Sequence, residues 1–351
     1  MVASPPPISE RKQDHLDIVL QQDVAAKGIR TGFERFFFEH VALPELLLPE
    51  IDLSCRFLGK RLQAPLLISS MTGGTDTARE LNLQLASAAQ ELGIAMGVGS
   101  QRAALEHPEL ARTYQVRQVA PDILLLANLG AVQLNYGYGL EQARRAVEMI
   151  EADGLILHLN PLQEAVQPQG DPDWRGLYGR IERLVAQLPV PVLVKEVGNG
   201  LSAKVAQRLA DCGVAALDVA GAGGTSWSEV EAHRQTEALK KRIAHSFRDW
   251  GIPTALALLE IRRLLPDLPL VASGGIRNGI DVAKAIRLGA DVVGMAAPAL
   301  HAVSQGQAQA VVDTFRAVIE ELRIAAFCTG SANLARLRQA TLRRQDTWDP
   351  L

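Results

Sequence analysis

Cysteine is scarce in this chain. Its three thiols, Cys55, Cys212 and Cys328, lie far apart in 351 residues and form no Cys-x-x-Cys pair. An odd, sparse set excludes a disulfide framework and a cysteine zinc site, and it fits a reducing, cytoplasmic compartment. Long apolar runs are missing too. None approaches the ~20 residues that a membrane helix needs, and residues 1–10 carry prolines in place of the apolar core of a secretory signal. Charge of one sign is not in excess. The net charge of −3 gives no global pull toward nucleic acid or an anionic membrane. An early Gly-x-Gly-x-x-Gly is also absent, which argues against a doubly wound open sheet.

What is present, from Ala64 onward, is an alternation of short apolar runs with amphipathic stretches. The eight runs are Leu66–Ser70, Ile94–Gly97, Ile123–Asn128, Gly154–Leu159, Val192–Val197, Ala215–Val219, Leu270–Ser273 and Asp291–Met295. Continuous apolar runs fit strands buried on both faces, as in a parallel sheet. Helix-like segments such as Thr77–Leu92, Leu140–Ala152, Asp173–Leu188, Ser202–Cys212 and Gly279–Leu288 lie between them. Repeated βα units of this number predict an α/β fold closed into a TIM (β/α)8 barrel, one domain over residues 64–351. The long connection from Gly221 to Pro269 predicts helices around Ser228–Phe247 and Ala255–Leu265. Residues 298–351 read as an Arg-rich helical cover. Residues 1–63 read as an irregular extension. It opens on Pro5-Pro6-Pro7 and carries a polar cluster, Arg11 to His15, ahead of a helix-like run, Leu16–Ala26.

Chemistry in such a barrel sits at the C-terminal ends of the strands. Those ends are polar throughout: Ser69 to Gly74, Ser100-Gln101-Arg102, Asn128, His158 with Asn160, Gln163 and Glu164, Lys195-Glu196, and Asp218 with Gly221 to Trp227. Ser100-Gln101-Arg102 suits a phosphate. A lysine ending an apolar strand needs a partner, and Glu196 is adjacent. The glycine turn Ser273 to Gly279, followed by the small-residue turn at Ala296-Ala297, resembles the phosphate site after strands 7 and 8 of a barrel. Together with Lys195 this suggests flavin mononucleotide. Its phosphate would meet Gly275, Ile276, Arg277, Ala296 and Ala297. Its ring edge would meet Asn128, Met71 and Thr72. Lys195 would face the N1/O2 side and stabilise negative charge on a reduced flavin. Other readings stay open here. A hydroxyacid oxidase needs a base His and an Arg pair, and His233-Arg234 is nearby. A dehydrogenase of the inosine-monophosphate type needs a cysteine after strand 6, where Gly221–Trp227 has none. A non-catalytic flavin or phosphate sensor is a third.

With these motifs the chain, from Arg11 to about Arg338, resembles the type 2 isopentenyl-diphosphate isomerases, flavin enzymes with a TIM barrel. The likeness rests on Arg11-Lys12-x-Asp14-His15, Ser70 to Gly74, Gly99 to Arg102, Ala127 to Gly130, His158 to Asn160, Gln163 to Asp171, Lys195 to Gly198, Gly221 to Trp227 and Ser273 to Arg277. It implies interconversion of isopentenyl and dimethylallyl diphosphate, with FMN, Mg2+ and a reductant such as NADPH. It implies diphosphate contacts at Arg11, Lys12, Ser100, Gln101 and Arg102, and a substrate pocket at His158, Asn160 and Gln163. Glu164 would be the metal ligand. Flavin contacts would be Ser70, Met71, Thr72, Gly73, Ser100, Asn128, Lys195, Thr225, Gly275 to Arg277, and Ala296-Ala297. Gln163, His158 and Lys195 would be the catalytic set. A homo-oligomer, tetramer or octamer, is implied as well. The Arg11-Lys12 arm is expected to act as a lid that orders on diphosphate.

Overall fold

The computed structural model describes residues 8–346. The Pro5-Pro6-Pro7 start lies outside the described residues. Eight parallel strands form a closed barrel: β1 Leu66–Ile68, β2 Ala95–Gly97, β3 Leu125–Gly130, β4 Gly154–His158, β5 Val192–Lys195, β6 Ala216–Asp218, β7 Leu270–Ala272 and β8 Val292–Met295. The ring closes where β8 pairs β1, with Val293 opposite Leu66 and Met295 opposite Ile68. All eight predicted strands are present.

Alternation along each strand sorts side chains to two faces. One set packs inside the barrel: Leu67, Ala95, Leu126, Ile156, Leu193, Ala216, Val271 and Val292. Their neighbours, such as Leu66, Ile68, Leu155, Leu157 and Val194, pack outward under the helices. The hairpin Cys55–Phe57 and Lys60–Leu62 stops the bottom of the barrel with Phe57 and Leu62.

Two clamps brace this bottom. Arg117 Nη1 donates to the carbonyls of Ala120, Pro121 and Ile123, and its Nη2 meets Asp153 Oδ2 at 3.0 Å. Arg262 Nη1 donates to the carbonyls of Leu265, Pro266 and Leu268, and its Nη2 meets Asp291 Oδ2 at 2.8 Å. Each aspartate also accepts the first N–H of its neighbouring strand, Leu125 N or Leu270 N, at 2.9 Å, and its Oδ1 meets a second cation, Lys60 at 3.2 Å for Asp153 and Arg338 at 3.1 Å for Asp291. The spacing is the same in both: Arg, then Pro-Asp four residues on, then the strand's first Leu and an Ala two residues later. The β3–β4 and β7–β8 units, four strands apart, therefore repeat one design.

Several expectations need correction. The N-terminal region is irregular over residues 22–32 and 39–47, but its described part opens on a helix. Helix α1, Ile8–Gln21, begins ahead of the expected run and carries Arg11, Lys12 and His15 within it. The C-terminal cover is not all helix. After Ala297–Cys328 and Leu334–Leu337 comes a strand, Leu342–Arg344, paired antiparallel with Phe36–Phe38. Long-range pairing decides such short strands, and local propensity does not reveal it. The Ser228–Phe247 helix is two: Trp227–Arg234 and Ala238–Ser246, parted where Gln235 turns extended (ψ 129) and donates its side-chain amide to Val166 O at 2.6 Å. The Asp173–Leu188 segment starts its helix only at Leu177, after Gly176 in left-handed backbone (φ 71). No helix among the described residues is long and apolar enough to cross a membrane.

Candidate active site at the barrel mouth

Two residues beyond the inner apolar layer, the same inward face carries Ser69, Gly97, Asn128, His158, Lys195, Asp218, Ser273 and Gly294. The apolar core thus gives way to a polar floor within one pleat. Above it opens a cavity of about 830 Å³, walled by the strand ends and roofed by α1 through Arg11, Lys12, His15 and Leu16. That volume lies near the upper end for ligand sites.

One corner is built from backbone. After β7, Gly274 and Gly275 take left-handed φ values of 102 and 73. A Cβ on Gly274 would stand 2.1 Å from Gly221 O, and one on Gly275 would stand 2.6 Å from Gly223 O. Only glycine fits either place. After β8, Ala297 opens helix α2, Ala297–Cys328. First-turn N–H groups have no intrahelical acceptor and favour an anion. Gly275, Ile276, Arg277, Ala296 and Ala297 all line the cavity here, with Ser70, Met71, Thr72 and Thr225 across from them. The Ser69 and Ser70 hydroxyls are buried and without hydrogen-bond partners among the described residues, and both residues line the cavity. These orphaned groups and the glycine corner fit a flavin with a phosphate tail. Gly73 is placed otherwise. It does not line the cavity, and a Cβ there would meet the Tyr114 ring at 1.9 Å. It makes room for Tyr114.

The opposite corner is built from side chains. Arg11 lines it, and among the described residues it forms no ion pair; burial and then Arg102 lower its pKa. Lys12 donates to Ser100 O at 2.6 Å and to the Tyr114 hydroxyl, and burial, then Arg11, brings it down to about 7. Arg102 is already paired, with Glu106 Oε1 and Asp171 Oδ2 at 2.8 Å each, and Gln133 Nε2 shares that Asp171 oxygen. Glu164 is buried. Its Oε1 accepts from Asn160 Nδ2 at 2.9 Å and its Oε2 from Asp171 N at 2.7 Å and from Gln167. Asn160 Oδ1 is buried with no partner. An orphaned oxygen beside a carboxylate fits a cation. No group of three or more His, Cys, Asp or Glu among the described residues is placed to hold a metal. The donor set therefore fits an ion that keeps most of its waters.

Gln101 does not belong to this corner. It is fully buried, with its amide donating to Ala146 O at 2.8 Å and accepting from Asn128 N at 2.9 Å. It ties the β2 end to β3 and turns away from the cavity. Sequence spacing alone could not separate it from Ser100 and Arg102, which do face inward.

Between the corners the orientation of each group is fixed. Asn128 Nδ2 donates to Val98 O at 3.0 Å, so its Oδ1 accepts from His158 Nδ1 at 2.8 Å. Burial, Lys195 and Lys12 hold His158 down to about 3. It is neutral, with the proton on Nδ1. Lys195 Nζ donates to the Glu196 carbonyl at 2.6 Å, not to its carboxylate as the sequence suggested. Burial pushes the Glu196 carboxyl up to about 7, against three backbone N–H donors. Gln163 is held at both ends, its Nε2 on Glu231 Oε1 at 2.9 Å and its Oε1 on Asn160 Nδ2 at 3.1 Å.

Sequence reading missed Glu231, the hub of this network. It also accepts from His15 Nε2 at 2.9 Å and Arg234 Nη1 at 2.8 Å. Burial pushes its carboxyl up, but these hydrogen bonds prevail and hold it at about 2. No local motif marks Glu231, because its partners come from α1 and the β4 loop. Tyr114, Asp171 and Gln133 were missed likewise. His233 and Arg234 do not line the cavity, so a base His with a carboxylate-binding Arg pair is not formed there.

The FMN-dependent dehydrogenase family matches residues 7–119 and 141–344. The isopentenyl-diphosphate delta-isomerase of Synechocystis sp. is 62% identical over 339 residues, covering 97% of this chain and 95% of that protein. The protein of the same name from Stutzerimonas stutzeri is 62% identical over 333 residues, covering 95% and 96%. Among solved structures, a flavocytochrome b2 variant with pyruvate bound aligns with a TM-score of 0.69 at 18% identity, over 93% of this chain and 82% of that one. A mandelate oxidase with 2-hydroxy-phenylacetamide aligns with 0.66 at 19% identity, over 97% and 99%. At that identity the structural likeness shows the fold alone.

Proposed function

Because this chain belongs to the FMN-dependent dehydrogenase family and to the isopentenyl-diphosphate delta-isomerases, we propose that it interconverts isopentenyl diphosphate and dimethylallyl diphosphate in isoprenoid biosynthesis, using reduced FMN and Mg2+. The observation that carries the detail is the two-cornered cavity. One corner suits the phosphate of a cofactor, and the other suits the diphosphate of a substrate with a cation beside it.

The reaction moves a double bond by one position. A proton is added at one carbon and removed from an allylic carbon. The chain's own groups are poor acids for an alkene. His158 is neutral near pH 7, and Glu231 stays ionised. Reduced FMN, when bound, would supply the proton-transferring group at its N5, with no net redox change. Gly275, Ile276, Arg277, Ala296 and Ala297 would hold its phosphate. Ser70, Met71, Thr72, Asn128, Thr225 and Lys195 would meet the ring. Glu164 would hold Mg2+, which shares the diphosphate charge. Arg11, Lys12, Ser100 and Arg102 anchor the diphosphate, and α1 closes over it as a lid. Gln163, fixed by Glu231 and Asn160, orients the C5 chain, and His158 presents an unprotonated Nε2 beside it. This remote binding holds the alkene in position. NADPH or a similar reductant would supply the electrons that keep the cofactor reduced. A cytoplasmic homo-oligomer, tetramer or octamer, completes the reading.

The test is turnover with reduced FMN against the analogue in which carbon replaces N5. Loss of isomerisation with retained binding supports the reading. Full turnover with the analogue removes the flavin's part in proton transfer.

A further inference from the structure

Lys195 lines the cavity with 7% of its surface exposed. It is buried at the end of β5, and its one hydrogen bond among the described residues goes to Glu196 O. Burial alone drives a lysine toward the neutral amine. Something must oppose that if Lys195 is to present a positive charge to the cavity.

Three titratable groups lie beside it in the chain or on the adjacent strands. His158 is its register partner on β4 and is neutral. The Glu196 carboxylate turns away into its own loop, where Oε2 accepts from the N–H groups of Val197, Gly198 and Asn199 at 2.6, 2.9 and 2.6 Å. Asp218 is the register partner on β6, 1% exposed. Its Oδ1 accepts from Ser273 Oγ at 2.7 Å and from Ala220 N at 3.1 Å. Its Oδ2 is buried and accepts no hydrogen bond among the described residues. A carboxylate with a bare oxygen costs free energy in such a place unless a positive charge compensates. Burial is the largest influence on both groups, lowering the Lys195 pKa and raising that of Asp218; against it, Asp218 and then Glu196 raise the lysine's, and Lys195 leads the influences that lower the aspartate's. Asp218 does not line the cavity, so a cofactor would not touch it.

We propose that Asp218 is a positioning residue that acts through Lys195: it is the counter-ion that keeps Lys195 protonated, and so sets how well the site holds negative charge on a reduced flavin. This rests on the reading of the cavity as an FMN site. The pair is matched across adjacent strands, with Ser273 and Ala220 holding the carboxylate on its other side. Removing the carboxylate charge frees Lys195 to lose its proton as pH rises.

The experiment is the midpoint potential of bound FMN from pH 6 to pH 9, read from the visible spectrum, in the parent protein and in Asp218→Asn, Lys195→Gln and the double variant. Asparagine keeps the shape and the Ser273 contact. The expected result is a potential in Asp218→Asn that is no lower than the parent's at pH 6 and falls below it by pH 9, toward the Lys195→Gln value. In the Lys195→Gln background, Asp218→Asn should add no pH-dependent change. A shift equal at every pH, or a pH-dependent shift that survives without Lys195, would overturn the proposal. Failure of the parent to bind FMN, or a potential that Lys195→Gln leaves unmoved, would remove the flavin reading and the proposal with it. If Asp218→Asn does not fold, 13Cε-labelled lysine in the parent decides, with Lys195→Gln assigning the signal. The proposal expects an ammonium signal throughout pH 6 to 9, and a titration inside that window contradicts it.

Discussion

The β3–β4 and β7–β8 corners begin alike and end differently. At the barrel bottom, Arg117 with Asp153 and Arg262 with Asp291 make the same hydrogen bonds at the same spacing. Ten residues past each arginine stands an alanine, Ala127 or Ala272. From there the chains part. Asn128-Leu129-Gly130 stays in the sheet, and Gly130 keeps an extended backbone (φ −74). Ser273-Gly274-Gly275 leaves it through two left-handed glycines. One corner thus offers side chains, and the other offers backbone N–H groups. The scaffold repeats because its clamp and strand geometry repeat. The chemistry differs because two or three residues beyond the strand are free to differ.

The largest effect should come from Glu164→Gln, which strikes the side-chain corner. The buried carboxylate accepts three hydrogen bonds and stands beside the unpartnered Asn160 Oδ1. Losing a charged acceptor of this kind should lower kcat/KM by about two to three orders of magnitude and raise the Mg2+ requirement. FMN affinity, a property of the other corner, should hold. Unchanged Mg2+ dependence would remove Glu164 as the ligand.

Gly275→Ala strikes the backbone corner. A left-handed alanine is strained by roughly 1–3 kcal/mol, and its Cβ would also meet Gly223 O and Thr31 Cγ2 at 2.6 and 2.5 Å. FMN affinity should fall by about 100-fold, as measured by fluorescence titration. FMN binding at parental affinity would place the phosphate elsewhere.

A pH dependence should separate the corners further. Lys12 is held down to about 7 by burial and by Arg11, and in the proposed reading it would bind a diphosphate as the ammonium. Binding above pH 7 therefore takes up a proton, and the Kd for diphosphate should rise by up to about tenfold per pH unit between 7 and 9. Lys12→Arg should flatten that slope. A slope that the arginine variant leaves unchanged would assign it to another group.

The smallest effect on catalysis should come from the shared bottom. Arg117→Ala and Arg262→Ala should each destabilise the fold by about 2–4 kcal/mol, because each leaves several carbonyls without a donor and removes one of the two cations paired with an aspartate. KM for substrate should stay within twofold in both. Unequal stability losses would break the equivalence of the two clamps.

Much of this was legible in the chain before any coordinates. The barrel was, because buried parallel strands leave continuous apolar runs and their ends are polar. The glycine corner was, because positive φ and close backbone approach demand glycine at named positions. What was hidden depends on distant contacts. Gln101 looks like its neighbours Ser100 and Arg102 but spends both ends of its amide on β3 and Ala146. Glu231 is an ordinary helix residue until His15, Gln163 and Arg234 converge on it. The strand at Leu342–Arg344 exists because Phe36–Phe38 lies beside it.

The central claim is isomerisation at a site with two separate anion corners and no net oxidation. The most direct test holds the protein anaerobically with reduced FMN, Mg2+ and isopentenyl diphosphate, and follows product and flavin spectrum together. The account predicts dimethylallyl diphosphate accumulating over many turnovers while the flavin stays reduced. Flavin oxidation in step with product, or no isomer formed by protein that binds both FMN and substrate, would contradict it.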